Sequence, residues 1–311
     1  MTIAGIFPGQ GSQSLGMLAD LSSRFTEVRE TFQAASDVLG RDLWQLAQEG
    51  PESALNSTEN TQPLMLAAGV AVWRVWLAQG GSQPVAVAGH SLGEYSALVA
   101  AGVLNFSDAV ALVAERARLM QSSVADGVGA MAAILGLDDP QVIAACEQAA
   151  EGEVVEAVNF NSPAQVVIAG NAAAVDRAIA VATAMGAKKA VKLSVSVPSH
   201  CALMKPAAEQ LAKKLAATTL GVAQMPVLHN VDAQARPDAA AMCLALEQQL
   251  YRPVRWVDTI LNLKENYGVN AVIEFGTPAR TLVGLNRRID RKMGAVCIHD
   301  SATLEEALKL V

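Results

Sequence analysis

The feature that most constrains the fold is a serine bracketed by two glycines, between a short apolar run and a helical pattern. Residues 84–99 have the sequence PVAVAGHSLGEYSALV. The run before Gly89 predicts a strand, and the residues after Gly93 predict a helix. A Gly-x-Ser-x-Gly turn between them is typical of a nucleophile elbow, whose glycines leave room for the neighbouring strand and helix. The elbow would present the Ser91 hydroxyl and aim the Leu92 N–H at an oxyanion.

The composition favours an α/β enzyme. The chain has 311 residues, of which 52% are hydrophobic and only 4% aromatic, and this suits helices packed closely on a parallel sheet. The formal net charge of -7 argues against a nucleic-acid partner, because phosphate binding needs clustered Lys and Arg. The longest uncharged apolar stretches, 64–73 and 96–106, are too short to cross a bilayer, so we expect no membrane partner.

The N-terminus and the cysteines predict a cytoplasmic location. Residues 2–7 predict a strand rather than the basic and apolar segments of a secretory signal. The cysteines are widely separated and form no C-x-x-C pair, which favours buried thiols in a reducing compartment over a disulfide or a metal site. They are Cys146, Cys201, Cys243 and Cys297.

Two stretches in the N-terminal part suggest binding groups. The apolar run 3–7 ends in the loop Pro-Gly-Gln-Gly-Ser-Gln at 8–13, whose backbone, including Gln10, can approach a ligand closely. This loop lacks the ending of a Walker motif and the third glycine of a dinucleotide fingerprint, and a plain strand-to-helix turn is the alternative. Pro63 is predicted at the first position of an apolar helix, which would put Gln62 at the helix entrance.

An arginine lies on the apolar side of the next predicted helix. The residues three and four positions from Arg116 are all apolar, so its guanidinium is predicted to be buried. They are Leu112, Val113, Leu119 and Met120. A buried guanidinium must find an anion or several acceptors. The pattern therefore leaves two interpretations open, a structural ion pair and a receptor for an anionic ligand.

From about Met131 the predicted elements become shorter. Strands are predicted over 130–137, 154–159, 165–169 and 190–197, and helices over 140–150 and 175–185. The order βαββαβ predicts a ferredoxin-like subdomain inserted into a large α/β-hydrolase-like domain with a parallel sheet. We assign 1–127 and 198–311 to the large domain and 128–197 to the small one. The small subdomain would form one wall of the cleft above the elbow.

His200 is the histidine that best suits the serine. It follows a predicted strand and precedes a predicted helix, whose N-terminus would favour the neutral imidazole that a serine needs. Catalytic groups of open α/β sheets collect in such loops, although a satisfied core histidine is the alternative. His90 adjoins Ser91 and should point away from it. The other histidines, His229 and His299, end predicted sheet strands.

Five stretches and one arginine, taken together and in order, are more specific than any one motif. They are GQGSQ at 9–13, TQP at 61–63, GHSLGEY at 89–95, Arg116, NFNSP at 159–163 and PSH at 198–200. This combination closely resembles the malonyl-CoA:acyl carrier protein transacylases of fatty acid synthesis, over nearly the whole chain. The resemblance implies that Ser91 is the nucleophile and His200 its general base. It also implies that the backbone N–H groups of Gln10 and Leu92 form the oxyanion hole.

The same resemblance implies a malonyl subsite. Arg116 would pair with the free malonyl carboxylate, and the backbone carbonyl of Gln249 would orient the histidine in place of an Asp. Gln62, Asn159 and Asn161 match pocket-lining positions of the family.

The implied reaction is a ping-pong transfer of malonyl from malonyl-CoA to the phosphopantetheine thiol of holo acyl carrier protein, with no bound cofactor or metal.

Several other functions share parts of the pattern. A serine hydrolase or thioesterase acting on acyl-CoA has the elbow and the base but no need for an arginine on the apolar face. A malonyl transferase of a polyketide or malonate-metabolism system would share all of it. A carrier-protein-binding scaffold without catalysis would form no acyl-enzyme.

Overall fold

The structure of the protein is a computed structural model that describes residues 1–125, 127–195 and 197–310. The strands are β1 (Ile3–Phe7), β2 (Ala86–Gly89), β3 (Gly129–Leu135), β4 (Val155–Ser162), β5 (Gln165–Asn171), β6 (Lys189–Lys192), β7 (Val227–Leu228), β8 (Ala271–Phe275) and β9 (Gly294–Ile298). The helices are α1 (Ala19–Arg24), α2 (Thr26–Leu39), α3 (Leu43–Glu49), α4 (Glu52–Leu55), α5 (Thr58–Ala78), α6 (Gly93–Ala100), α7 (Phe106–Ser122), α8 (Asp139–Ala149), α9 (Ala172–Ala184), α10 (Lys205–Ala216), α11 (Ala239–Gln249), α12 (Trp256–Tyr267), α13 (Thr281–Ile289) and α14 (Ser301–Leu308). A 3-10 turn at Ala202–Met204 precedes α10.

The larger sheet is parallel and has the strand order β7-β2-β1-β8-β9. Its three central strands are fully buried, as expected of apolar strands covered by helices on both faces. Phe7 pairs with Gly89, so the carboxyl ends of β1 and β2 lie side by side. The loop after β1 and the elbow after β2 therefore meet at the sheet edge where open α/β proteins bind ligands.

The smaller sheet is antiparallel, in the order β4-β5-β3-β6, with α8 and α9 packed on it. The predicted fold class, a parallel α/β sheet with a separate βαββαβ unit, is confirmed. Element bounds differ by a few residues. Strand β4 runs on to Ser162, so Asn159 and Asn161 both lie within it. The strand predicted over 190–197 is confined to Lys189–Lys192, and residue 196 lies outside the described residues.

Two hydrogen bonds join the smaller sheet to the loop between α11 and α12. Val254, in the loop between α11 and α12, accepts a hydrogen bond from the Phe160 N–H at 3.0 Å and donates to the Val158 carbonyl at 2.8 Å. Strand β4 is thereby held beside the loop that follows Gln249. The side chains of Asn159 and Asn161 are consequently brought to the cleft from the smaller sheet.

The prediction that Pro63 occupies the first helical position is wrong. Helix α5 begins five residues earlier, at Thr58, and Pro63 lies inside it. A proline there leaves the carbonyl four residues before it without its helical donor. That carbonyl, of Glu59, instead accepts a hydrogen bond from Arg41 Nη2 at 2.9 Å. Gln62 is therefore a buried residue of the second helical turn and does not cap the helix.

Glu274, near the carboxyl end of β8, is a fully buried carboxyl group. Glu274 Oε2 accepts a hydrogen bond from the Val283 N–H at 2.7 Å, in the first turn of α13. Among the described residues its other oxygen, Oε1, is buried without a partner. Burial raises the pKa of Glu274 from 4.5 to about 7, against the smaller opposite effect of the α13 amides.

The Glu274 pKa predicts a pH-dependent stability. The pKa of Glu274 is higher in the folded protein than in the unfolded chain, so folding is accompanied by uptake of a proton between about pH 4.5 and 7. The free energy of unfolding therefore falls as the pH rises through that window. Glu274→Gln stays neutral, so its stability relative to the parent should rise by roughly 2 kcal/mol between pH 5 and 8. Urea unfolding of both proteins at the two pH values checks this. An equal difference at both would contradict it.

Candidate active site

The segment after β2 has the geometry of a nucleophile elbow. Ser91 has a φ of 51°, in the left-handed region that non-glycine residues seldom occupy. A Cβ added to Gly89 would lie 1.9 Å from the Gly93 carbonyl carbon, and one added to Gly93 would lie 2.0 Å from the Phe7 carbonyl oxygen. Both glycines are therefore required for the close packing of strand, turn and helix, as the sequence pattern predicts.

An asparagine outside the elbow holds the strained turn. Asn230, just beyond β7, accepts a hydrogen bond from the Ser91 N–H at 2.7 Å and donates one to the Gly89 carbonyl at 2.6 Å. Both contacts are to backbone atoms, so the side chain fixes the turn and leaves the Ser91 hydroxyl available. Asn230 carries no local signal in the sequence, because only the pairing of β7 with β2 brings it to the elbow.

The structure brings His200 to Ser91. Their Nε2 and Oγ atoms are 2.8 Å apart, although 109 residues separate them in the chain. The His200 Nδ1 lies 2.7 Å from the Gln249 backbone carbonyl, at the end of α11. A carbonyl can only accept, so Nδ1 carries the hydrogen and Nε2 is free to accept the proton of the serine hydroxyl. The predicted orienting carbonyl is thus in hydrogen-bond contact with the histidine.

His200 is a neutral imidazole, but mainly for a reason other than the predicted helix N-terminus. The residue is 2% exposed, and helix α10 begins only at Lys205, after the 3-10 turn. Burial, with the nearby Arg116 guanidinium as a further cause, lowers the pKa of His200 to about 3. The imidazole is therefore unprotonated throughout the neutral pH range.

Arg116 is buried beside the serine and points its guanidinium at uncharged groups. Its Nη1 donates to Gln62 Oε1 at 2.5 Å, and its Nη2 donates to Gln249 Oε1 at 2.9 Å and to Ser91 Oγ at 3.3 Å. The Tyr95 ring lies 5.5 Å from the guanidinium carbon. Within the described chain no carboxylate lies within 4.0 Å of it. Of the two interpretations left open by the sequence, the structural ion pair is therefore disfavoured.

The remaining predicted residues border one cavity of about 240 Å³ that contains Ser91, Arg116 and His200. Its lining also includes Gln10, Gln62, Leu92, Asn159 and Asn161. In the part of the chain that the structure describes, neither the Gln10 N–H nor the Leu92 N–H donates a hydrogen bond to the protein. Two backbone N–H groups without a protein acceptor, both on residues that line this cavity, suit the stabilisation of a developing oxyanion.

The two asparagines of β4 are positioned differently. Asn161 Oδ1 lies 2.7 Å from His90 Nε2, and the His90 ring centroid lies 5.6 Å from that of Trp256. Asn159 lines the cavity without a side-chain hydrogen bond among the described residues and is therefore available to a ligand. Both side chains are buried. The sequence had placed the second asparagine in a loop, whereas it is the strand that sets its direction.

No helix among residues 1–125, 127–195 and 197–310 has both the length and the apolar character that a bilayer crossing requires.

Comparison with known proteins identifies close relatives over the full length. A model of the acyl transferase domain matches residues 5–293. The malonyl CoA-acyl carrier protein transacylase of Salmonella typhimurium is 53% identical over 305 residues, covering 98% of each chain. An acyl carrier protein S-malonyltransferase structure from Vibrio cholerae has a TM-score of 0.96 at 52% identity, covering 98% of this chain and 99% of that one. A malonyl-transacylase solved with a type II polyketide synthase acyl-carrier protein has a TM-score of 0.98 at 52% identity, covering 100% of both.

Proposed function

Since the chain belongs to the acyl transferase domain family, we propose that it transfers a malonyl group from malonyl-CoA to the phosphopantetheine thiol of acyl carrier protein. The observation that carries this proposal is the 2.8 Å contact of Ser91 with His200 beside a buried Arg116 whose hydrogen-bond acceptors are all uncharged. A hydroxyl with a neutral base can form an acyl ester. A guanidinium with only uncharged partners can bind the carboxylate of a dicarboxylic acyl group.

In the first half-reaction, His200 Nε2 takes the hydroxyl proton as Ser91 Oγ attacks the thioester carbonyl of malonyl-CoA. The N–H groups of Gln10 and Leu92 bind the tetrahedral oxyanion, because both are without a protein acceptor among the described residues. The C–S bond then breaks. The coenzyme A sulfur leaves with the proton from His200, and a malonyl ester remains on the serine.

In the second half-reaction, the phosphopantetheine thiol gives its proton to His200 and attacks the ester carbonyl. Collapse of the second tetrahedral intermediate breaks the bond to Ser91 Oγ, which recovers the proton. Throughout, Arg116 holds the acyl carboxylate, and Gln62 and Asn159 complete the walls around the acyl group. The Gln249 carbonyl keeps the His200 ring in the orientation that both steps require.

A single incubation separates this proposal from its alternatives. The protein is mixed with malonyl-CoA and holo acyl carrier protein, and the products are separated by mass. Accumulation of malonyl carrier protein supports transfer. Accumulation of free malonate would indicate a hydrolase or thioesterase. Failure to form any acyl-enzyme with Ser91 intact would favour a non-catalytic scaffold. Transfer only to a polyketide carrier protein would indicate a polyketide pathway instead of fatty acid synthesis.

Three further assignments belong to the proposal. The large domain comprises residues 1–127 and 198–311 and the small subdomain residues 128–197, so that the cleft lies between them. The reaction as written uses only the side chains and amides of this chain, with coenzyme A and carrier protein as substrates rather than cofactors. We place the enzyme in the cytoplasm, the reducing compartment in which its four free cysteines would remain thiols.

A further inference from the structure

A buried carboxylate lies behind the candidate active site. Glu94, in the first turn of α6, has no exposed surface. Its Oε1 accepts a hydrogen bond from His229 Nδ1 at 2.7 Å, and its Oε2 accepts from the Asn230 N–H at 2.9 Å and from Gln249 Nε2 at 2.8 Å. None of the reaction steps uses this group. Because burying a carboxylate costs free energy, its charge calls for an explanation.

The side-chain amide of Gln249 connects Glu94 with Arg116. Its Nε2 donates to Glu94 and, at 2.9 Å, to the Ser91 carbonyl, while its Oε1 accepts from Arg116 Nη2 at 2.9 Å. The opposite orientation would set the amide oxygen against two acceptors and its NH₂ group against the guanidinium. The contacts therefore fix the amide, and they place the buried negative charge one amide group away from the buried positive charge.

Glu94 must affect what Arg116 can bind. The acceptors of Arg116 among the described residues are all uncharged, so Glu94 is a nearby anion that it reaches through a single bridging group. In a buried site, charges interact over several ångströms with little screening. A carboxylate bound by Arg116 is consequently attracted by the guanidinium and repelled by Glu94.

We propose that Glu94 is a positioning residue that moderates the Arg116 carboxylate receptor. It orients the Gln249 amide toward Arg116, and its charge offsets that of the guanidinium, so that a dicarboxylic acyl group is held without being trapped. His229 keeps the carboxylate in place. This inference rests on the proposed role of Arg116 as the receptor of the acyl carboxylate.

Glu94→Gln separates the charge from the hydrogen bonds. The amide oxygen can accept from Asn230 and Gln249 as Oε2 does now, and the NH₂ group can donate to His229 Nδ1 once the ring adopts its other tautomer. The change therefore removes one negative charge and leaves the bonding pattern nearly complete. With that charge gone, Arg116 should attract an acyl carboxylate more strongly.

Binding is measured in Ser91→Ala protein, which cannot turn over, by titration calorimetry with malonyl-CoA and with acetyl-CoA. Adding Glu94→Gln should lower the Kd of malonyl-CoA by about three- to tenfold and leave that of acetyl-CoA within about twofold. A merely structural role of Glu94 would weaken both ligands. Unchanged or weaker binding of malonyl-CoA overturns the inference.

Two control variants distinguish a failure of the inference about Glu94 from a failure of the proposed role of Arg116. Measured at pH 8, where Glu274 is ionised, Glu274→Gln removes another fully buried carboxylate, one that touches neither Gln249 nor Arg116, and should leave the ratio of the two Kd values unchanged. Arg116→Gln should abolish the effect of Glu94→Gln, and an effect that persists overturns the route through Arg116. If Arg116→Gln does not change the preference for malonyl-CoA at all, it is the proposed role of Arg116 that fails.

A second measurement leaves Glu94 intact, in case its replacement prevents folding. The chain has only four histidines, so the ring nitrogens of ¹⁵N-labelled Ser91→Ala protein can be resolved by NMR, with His229→Asn for assignment. Malonyl-CoA should shift the His229 nitrogens, because an anion at Arg116 is felt through Gln249 and Glu94, and acetyl-CoA should not. Equal shifts with both ligands, or none with either, overturn the inference.

Discussion

Ser91→Ala should form no acyl-enzyme and should transfer malonyl at least about 10⁴-fold more slowly than the parent. The alanine removes the only atom that Ser91 contributes to the reaction, the Oγ that lies 2.8 Å from His200 Nε2. Neither the base nor the two free amides can replace it, because the ping-pong route needs a covalent ester. Intact-mass spectrometry after mixing with malonyl-CoA measures the adduct, and carrier protein acylation measures the transfer.

The loss should be specific to chemistry. The elbow is held by backbone contacts of Ser91 and Gly89 with Asn230, which an alanine leaves in place. The variant should therefore still bind malonyl-CoA through Arg116. A malonyl adduct on the alanine variant would refute the assignment of the nucleophile, whereas a variant that no longer binds malonyl-CoA would indicate damage to the fold.

Much of the fold could be predicted because its signals are local. The strand and helix around Ser91 and the first strand, β1, follow from hydrophobic periodicity and turn residues alone. The start of α5 could not be predicted in this way. Its proline leaves the Glu59 carbonyl without a helical donor, and Arg41, 18 residues away in the chain, supplies one instead. Such tertiary compensation is absent from the local pattern.

The candidate site residues likewise differ in whether the local sequence could reveal them. Ser91 has a turn signature, and Arg116 is a charge on an apolar helix face, so each is visible by itself. The role of the Gln249 carbonyl came only from the family resemblance, and the acyl transferase family membership that the motifs implied is confirmed. Glu94 offered a signal of the same kind as Arg116, a charge in a buried helix, but its partner His229 is 135 residues away. Only the fold shows that pairing.

Arg116→Ala should lower kcat/KM for malonyl transfer by about 10²- to 10³-fold, with a much smaller loss, or a gain, for acetyl transfer. The guanidinium has two strong contacts, to Gln62 and Gln249, both with neutral oxygens. A neutral acyl group gains little from such a cation, while a carboxylate entering the same cavity gains a charge-assisted bond in a site with little screening. Initial rates of carrier protein acylation with malonyl-CoA and acetyl-CoA give the ratio.

The same helix provides the matched control. Arg118 is exposed and paired with Glu115 at 2.7 Å on the outer face of α7, so Arg118→Ala should change neither rate appreciably. Equal loss of malonyl and acetyl transfer in Arg116→Ala would mean that the arginine supports the site only as a structural group, through its contact with Ser91 and the two glutamines. Loss confined to malonyl transfer is the result that a carboxylate receptor requires, because malonyl carries a carboxylate and acetyl carries none.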